Sequence, residues 1–173
     1  MTINKKICRL LALALLLGGC GIEVPALPPG SRSVAVDGSI DGLVQRQVDA
    51  DGGISTLARE CVGAPYRYGG DGPEGFDCSG LVHYVFGRSG LRVPRTSTEQ
   101  YLQAQRVPLE ELQPGDLLFF RVSRQKVSHV GIYIEGNTFI HAPSSGSAVC
   151  YATLENPYWQ TRLQGAGRYP RKP

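Results

Sequence analysis

Gly75-Phe76-Asp77-Cys78-Ser79-Gly80-Leu81-Val82 is a loop that turns into a helix. Tight turns precede it at Gly69-Gly70 and Gly72-Pro73. Within and after it, Leu81 and Val85, and likewise Val82 and Phe86, lie four apart and make one apolar stripe. The stripe runs out at Gly87 and Gly90, where helices commonly stop. Cys78 therefore falls in the first helical turn. Free backbone N–H groups and the helix dipole favour a negative charge there, and a thiolate is such a charge, so a lowered thiol pKa is expected. The other use of such a residue is a buried structural cysteine.

What lies downstream favours a nucleophile. The run Val127 to Ile134 alternates, with Val130, Ile132 and Ile134 on one face and His129, Gly131 and Tyr133 on the other. Thr138 to His141 reads as the next strand, with Phe139 and His141 on one face. If Glu135-Gly136-Asn137 is a three-residue loop, Ile134 pairs with Thr138, Tyr133 with Phe139 and Gly131 with His141. His129 is then diagonal to His141 on a shared face, roughly 7 Å away by backbone geometry. A two-residue loop would send the two histidines to opposite faces. Gly131 leaves a gap through which the start of the Cys78 helix is expected to approach the sheet. A cysteine nucleophile needs a histidine base held by a third group. His129 is expected as that base, with His141 fixing its tautomer. Two core histidines are the bland alternative. His83 lies mid-helix beside the stripe and reads as structural or exposed.

The rest of the chain frames these elements. Ile54, Leu57, Ala58 and Cys61 recur at helical spacing, and Gly63-Ala64-Pro65 ends that helix. Thr96 and Glu99 are spaced as a capping box. Gln113-Pro114-Gly115-Asp116 is a turn before the apolar strand Leu117 to Phe120, and Asp116 reads as a turn residue. Ala148 to Tyr151 reads as a strand, Pro157 to Leu163 as a short helix and Arg168-Tyr169 as a last edge. Helices gathered first and strands later predict an α+β domain with an antiparallel sheet over residues 52–173.

Composition excludes some classes. With Lys5, Lys6 and Arg9 set aside, the 18 Lys and Arg residues become 15, equal to the 15 Asp and Glu. A chain without a basic surplus is not expected to bind nucleic acid. Neither the spacing of a zinc site nor a redox C-x-x-C occurs, and phosphate-binding and dinucleotide fingerprints are absent. No metal or cofactor is expected.

Residues Met1 to Arg9 form a basic segment, Leu10 to Leu17 an unbroken Leu and Ala run, and Leu17-Gly18-Gly19-Cys20 closes it. The run is too short to span a bilayer and reads as a secretory signal. It resembles a bacterial lipoprotein signal over residues 1–19, which implies lipid on Cys20. Gly21 follows in place of the Asp that retains such proteins at the inner membrane. The expected place is thus the periplasmic side of the envelope, at the outer membrane. Residues 20–51, with Pro25 and Pro28-Pro29 and no periodicity, read as a tether.

Tyr66-Arg67-Tyr68-Gly69-Gly70, the Gly75 to Val82 stretch, Pro94-Arg95-Thr96-Ser97, Pro114-Gly115-Asp116-Leu117, His129-Val130-Gly131-Ile132-Tyr133 and Phe139-Ile140-His141-Ala142 resemble, in that order, the NlpC-type cell-wall cysteine peptidases. With the lipoprotein signal, the chain is most similar to the Spr-type murein endopeptidase lipoproteins. The resemblance runs from about Leu57 to Arg168. It implies a papain-like fold and hydrolysis of peptide bonds in peptidoglycan stems or cross-links, by a protein expected to be a monomer. It implies Cys78 as nucleophile, His129 as base, His141 as orienting residue and Tyr66 as a donor to the oxyanion beside the Cys78 N–H. Asp77 and Ser79 match positions that shape the substrate pocket. Arg95 matches a recurrent arginine, for which a structural ion pair is the alternative. Cys61 and Cys150 are either a disulfide or two separate thiols. Two other functions stay open: a silent wall-binding or scaffold lipoprotein, and an amidase or acyltransferase on the same fold.

Overall fold

The computed structural model describes residues 53–123 and 126–170. The signal, Cys20 and the tether lie outside the described residues. The elements are α1 (Ile54–Glu60), β1 (Asp71–Gly72), β2 (Gly75–Phe76), α2 (Cys78–Arg88), α3 (Ser97–Gln103), β3 (Gln105–Val107), a 3-10 turn (Leu109–Glu111), β4 (Leu117–Phe120), β5 (His129–Glu135), β6 (Thr138–His141), β7 (Cys150–Thr153), α4 (Pro157–Gln160) and β8 (Leu163–Arg168). Six strands form one antiparallel sheet in the order β3-β8-β4-β5-β6-β7. This is the expected α+β architecture with helices on an antiparallel sheet.

The start and end of α2 follow from local chemistry. Asp77 is its N-cap and accepts the Gly80 N–H at 2.7 Å. At the other end Gly90 takes a φ of 83°. The Leu91 N–H returns to the Phe86 carbonyl and the Gly90 N–H to the Gly87 carbonyl, the closing pattern of a Schellman motif. Between these ends Leu81, Val82, Val85 and Phe86 are buried. They pack with Val130, Ile132, Ile134 and Ile140 on one face of the sheet. The capping box starts α3 as the sequence indicates, with the Glu99 N–H donating to Thr96 Oγ1 at 3.3 Å.

The other face of the sheet carries Leu118, Phe120, Phe139 and Ala166, with Trp159 and Leu163 laid against them. Because both faces of β4 are covered, its sequence is an unbroken apolar run rather than an alternation.

Several boundaries differ from expectation. β7 begins at Cys150, because Ala148 is taken by an isolated bridge to Pro65. α4 stops at Gln160, and Leu163 already belongs to β8. The last strand is no edge: β8 lies between β3 and β4. Asp116 is more than a turn residue. It is buried and accepts two bonds from Arg168, Nε to Oδ1 at 2.7 Å and Nη2 to Oδ2 at 2.8 Å. That pair fixes the end of β8 to the start of β4. The short strands β1, β2 and β3 have no sequence signal of their own. Two- and three-residue strands are too short to show a period.

The hairpin between β5 and β6 corrects the expected loop while keeping its consequence. Glu135 pairs with Thr138, so the turn is the two residues Gly136-Asn137. Both have positive φ, 50° and 67°, as a tight hairpin turn requires. A register shift between Tyr133 and Glu135 then takes up one residue. Tyr133 thereby faces Phe139 and Ile132 faces Ile140, the pairing expected from a three-residue loop.

Candidate active site

The two histidines meet. His129 Nε2 and His141 Nδ1 are 2.8 Å apart, and the residues are only 4% and 3% exposed. Their rings stand edge to face, with centroids 5.0 Å apart. Aromatic side chains wall them in. Trp159 stacks on His129 at 5.4 Å and meets His141 edge-on at 4.9 Å. Phe120 lies 6.1 Å from His129, and Phe139 5.3 Å from His141. Trp159 has no motif around it in the sequence. It reaches the histidines from α4, a helix set by the Asn156 cap and Pro157 at its first turn.

Burial sets the charge state of this pair. It holds His129 down to about 3, with His141 adding to the effect, and His141 down to about 4. Both rings are therefore neutral at pH 7. A single proton then lies between them. With His129 Nε2 committed to His141, Nδ1 is the nitrogen left for another partner.

Cys78 packs against the core cluster that includes Val130, the residue next to His129. The expected route through the Gly131 gap is not used, because the Phe139 ring fills the space beside Gly131. Instead the Cys78 thiol meets the backbone N–H of Val130, the residue after His129. Burial and, next, the Asp77 carboxylate push this thiol up, while the N–H groups of Val130, Ser79 and Cys78 pull it down. The expected lowering by the helix start is outweighed by burial. At rest the thiol keeps its proton and both imidazoles are neutral.

Tyr66 lies half-buried next to Cys78 and Asp77. Burial and then its proximity to those two groups push its hydroxyl up, so it carries its proton at neutral pH. Its backbone is pinned by a bridge to Phe76 and by its N–H donating to the Ser147 carbonyl at 2.8 Å.

Asp77, Ser79 and Arg95 form a second polar cluster behind the thiol. Arg95 grips Asp77 through Nη1 to Oδ1 at 2.9 Å and Nη2 to Oδ2 at 2.7 Å. It also donates to Ser79 Oγ and to the Gly70 carbonyl. Asp77 receives the Gly69 N–H as well, at 3.0 Å. The pair holds the Asp77 carboxyl below its usual range against the opposing cost of burial. The cluster ties the glycine loop to the helix start. The two approach so closely that a Cβ on Gly80 would overlap the Gly70 carbonyl oxygen. Gln100 extends the tie: fully buried, it donates to the carbonyls of Ser79 and Pro94.

His83 is exposed, with Nδ1 2.9 Å from the Val93 carbonyl oxygen. Cys61 and Cys150 are separate thiols. Cys61 is buried against the core, and burial pushes it up to about 11. Cys150 lies on β7 with its Sγ 3.7 Å from His141 Nε2.

A thiol at a helix N-terminus, packed on an antiparallel sheet whose adjacent strands carry one histidine each, defines a papain-like α+β domain. The chain belongs to the NlpC/P60 family, whose model matches residues 63–168. It is 36% identical to the probable endopeptidase NlpC of Escherichia coli over 165 residues, covering 94% of this chain and 99% of that protein. It is 43% identical to the murein DD-endopeptidase MepH of E. coli over 112 residues, which cover 62% of this chain and 41% of MepH. A crystal structure described as similar to lipoprotein, NLP/P60 family, from Staphylococcus aureus superposes with a TM-score of 0.64 at 39% identity. That match covers 73% of this chain and 42% of the other. This chain thus spans nearly all of one relative and less than half of the other two.

Proposed function

We propose that this protein is a cysteine peptidase that hydrolyses peptide bonds in the stem peptides or cross-links of peptidoglycan. The observation that carries the reading is the chain of contacts at one spot. The Cys78 thiol sits at a helix start against Val130, and the adjoining His129 is bonded to His141. In this reading the thiol proton passes to His129 Nδ1 as the sulfur attacks the scissile carbonyl carbon. The oxyanion accepts from the Cys78 N–H and the Tyr66 hydroxyl. When the C–N bond breaks, His129 returns the proton to the leaving amine. Water, deprotonated by His129, then cleaves the thioester and frees Cys78. Burial disfavours both the isolated thiolate and the isolated imidazolium, so proton transfer and attack are coupled rather than preceded by a standing ion pair. Asp77, Ser79 and Arg95 form the wall behind the nucleophile and shape the pocket through the loop they hold. The names of relatives support the substrate class: they include a murein DD-endopeptidase and a gamma-DL-glutamyl hydrolase.

The protein is further proposed to be held to the outer membrane by lipid on Cys20, facing the periplasm. The signal pattern at residues 1–20 supports this. The test of the activity is mass spectrometry of purified muropeptides after incubation with the protein. New fragments matching a cut stem or cross-link are expected. Murein binding without any cleavage would replace the peptidase reading with the scaffold one.

A further inference from the structure

The histidine pair does not end at His141. Its Nε2 lies 3.7 Å from Cys150 Sγ, within reach of a sulfur hydrogen bond. The rest of the ring is enclosed by His129, Phe139 and Trp159. His141 is 3% exposed, so the sulfur stands where solvent otherwise would. Cys150 itself is the first residue of β7, one of the two edge strands of this sheet, and pairs directly with His141 across the ladder. Backbone register therefore holds the two side chains together.

A neutral imidazole has one N–H and one bare nitrogen, so this row of groups has two possible directions. In the first, His129 Nε2–H donates to His141 Nδ1, and His141 Nε2–H donates to the sulfur. His129 Nδ1 is then bare and able to take a proton. In the second, every bond is reversed and His129 Nδ1 carries the proton, which makes it useless as a base. An imidazole N–H is a better donor than a thiol S–H. A buried N–H without an acceptor is also tolerated less readily than an acceptor left bare.

We infer that Cys150 is a positioning residue for this site: its sulfur accepts the His141 Nε2 proton and so keeps His129 in the tautomer with a free Nδ1. The same polarisable sulfur steadies His141 when His129 becomes positive during proton transfer. The inference rests on the peptidase reading for its effect on rate, but the tautomer itself does not depend on any substrate.

The test is nitrogen-15 NMR of histidine-labelled protein, with muropeptide kinetics beside it. In the wild type both His129 and His141 should carry their proton on Nε2. In Cys150→Ala a fraction of both rings should move the proton to Nδ1. The kcat should fall about five-fold, the usual scale for one weak hydrogen bond, with KM unchanged. Cys150→Ser, which restores an acceptor, should recover both readouts. Cys150→Val controls for packing and should behave as Cys150→Ala. Protons on Nδ1 in the wild type would overturn the inference. So would tautomers that ignore Cys150→Ala, whatever happens to kcat, or a tautomer change that leaves kcat untouched. If the wild type cleaves no muropeptide, the peptidase reading fails, and the NMR result still decides the tautomer.

Discussion

Two regions meet at Cys78, and they are built on opposite principles. The helix-start side is charged, partly wet and tied by short bonds. Asp77 and Arg95 form a two-pronged ion pair that also gathers Ser79, Gly69, Gly70 and Gly80. The histidine side is neutral and nearly dry, a pair of imidazoles in a box of Phe120, Phe139 and Trp159. The first region places backbone N–H groups and a thiol with precision. The second keeps a base unprotonated far below its ordinary range. Geometry and proton affinity are therefore set by separate parts of the fold, so that each can be disturbed alone.

The largest effect should come from removing the groups at the junction. Cys78→Ser puts a far less acidic hydroxyl in place of the thiol, and His129→Ala removes the proposed base. Each should abolish measurable muropeptide cleavage while the melting curve stays cooperative. His141→Ala should leave a low residual rate, because in the proposed mechanism His141 only orients His129. Tyr66→Phe removes the proposed oxyanion donor and should cost about 100-fold in kcat.

Disturbing the charged side should act on stability. Arg95→Ala leaves Asp77 without its cation. Breaking a fully buried pair costs about 3–5 kcal/mol, but Arg95 is a third exposed, so about 1–3 kcal/mol is expected in a denaturant titration. Arg95→Lys, which cannot make the two-pronged bond, should recover only part of that.

Disturbing the dry side should act on pH dependence. Both histidines titrate lower in the folded protein than their ordinary 6.5. Below that value the unfolded chain binds protons that the folded one refuses. Stability is thus full above about pH 6.5 and is lost as pH falls toward 4 and 3. The melting temperature should drop across that window, and less steeply in His141→Asn. Trp159→Ala admits water, so the acid limb of kcat/KM should move up toward the ordinary histidine value.

The sequence shows the charged side and the dry side unequally. The loop, the helix start and the shared face of His129 and His141 are legible, because turn residues and alternation are local signals. The bulge at Ile134 is not, and the pairing comes out as expected only because the two-residue turn and the bulge offset each other. Trp159 and Cys150 escape for a different reason. They reach the histidines through the stacking of α4 and the ladder between β6 and β7, long-range contacts that leave no local period. The role of Asp116 escapes likewise, since its partner Arg168 is 52 residues away. The raised thiol is a matter of burial, which a motif does not report.

The histidine pair has a cysteine at either end, Cys78 beside Val130 and Cys150 beside His141. Of the two, Cys78 is the proposed nucleophile, since it alone of the pair sits at a helix start. Acid quenching during turnover of muropeptides, followed by peptide mapping of the protein, would catch the acyl thioester. The adduct is expected on Cys78 and on no other cysteine, and none in Cys78→Ser. An adduct on Cys150, or cleavage at the wild-type rate by Cys78→Ser, would overturn the assignment of Cys78 as nucleophile.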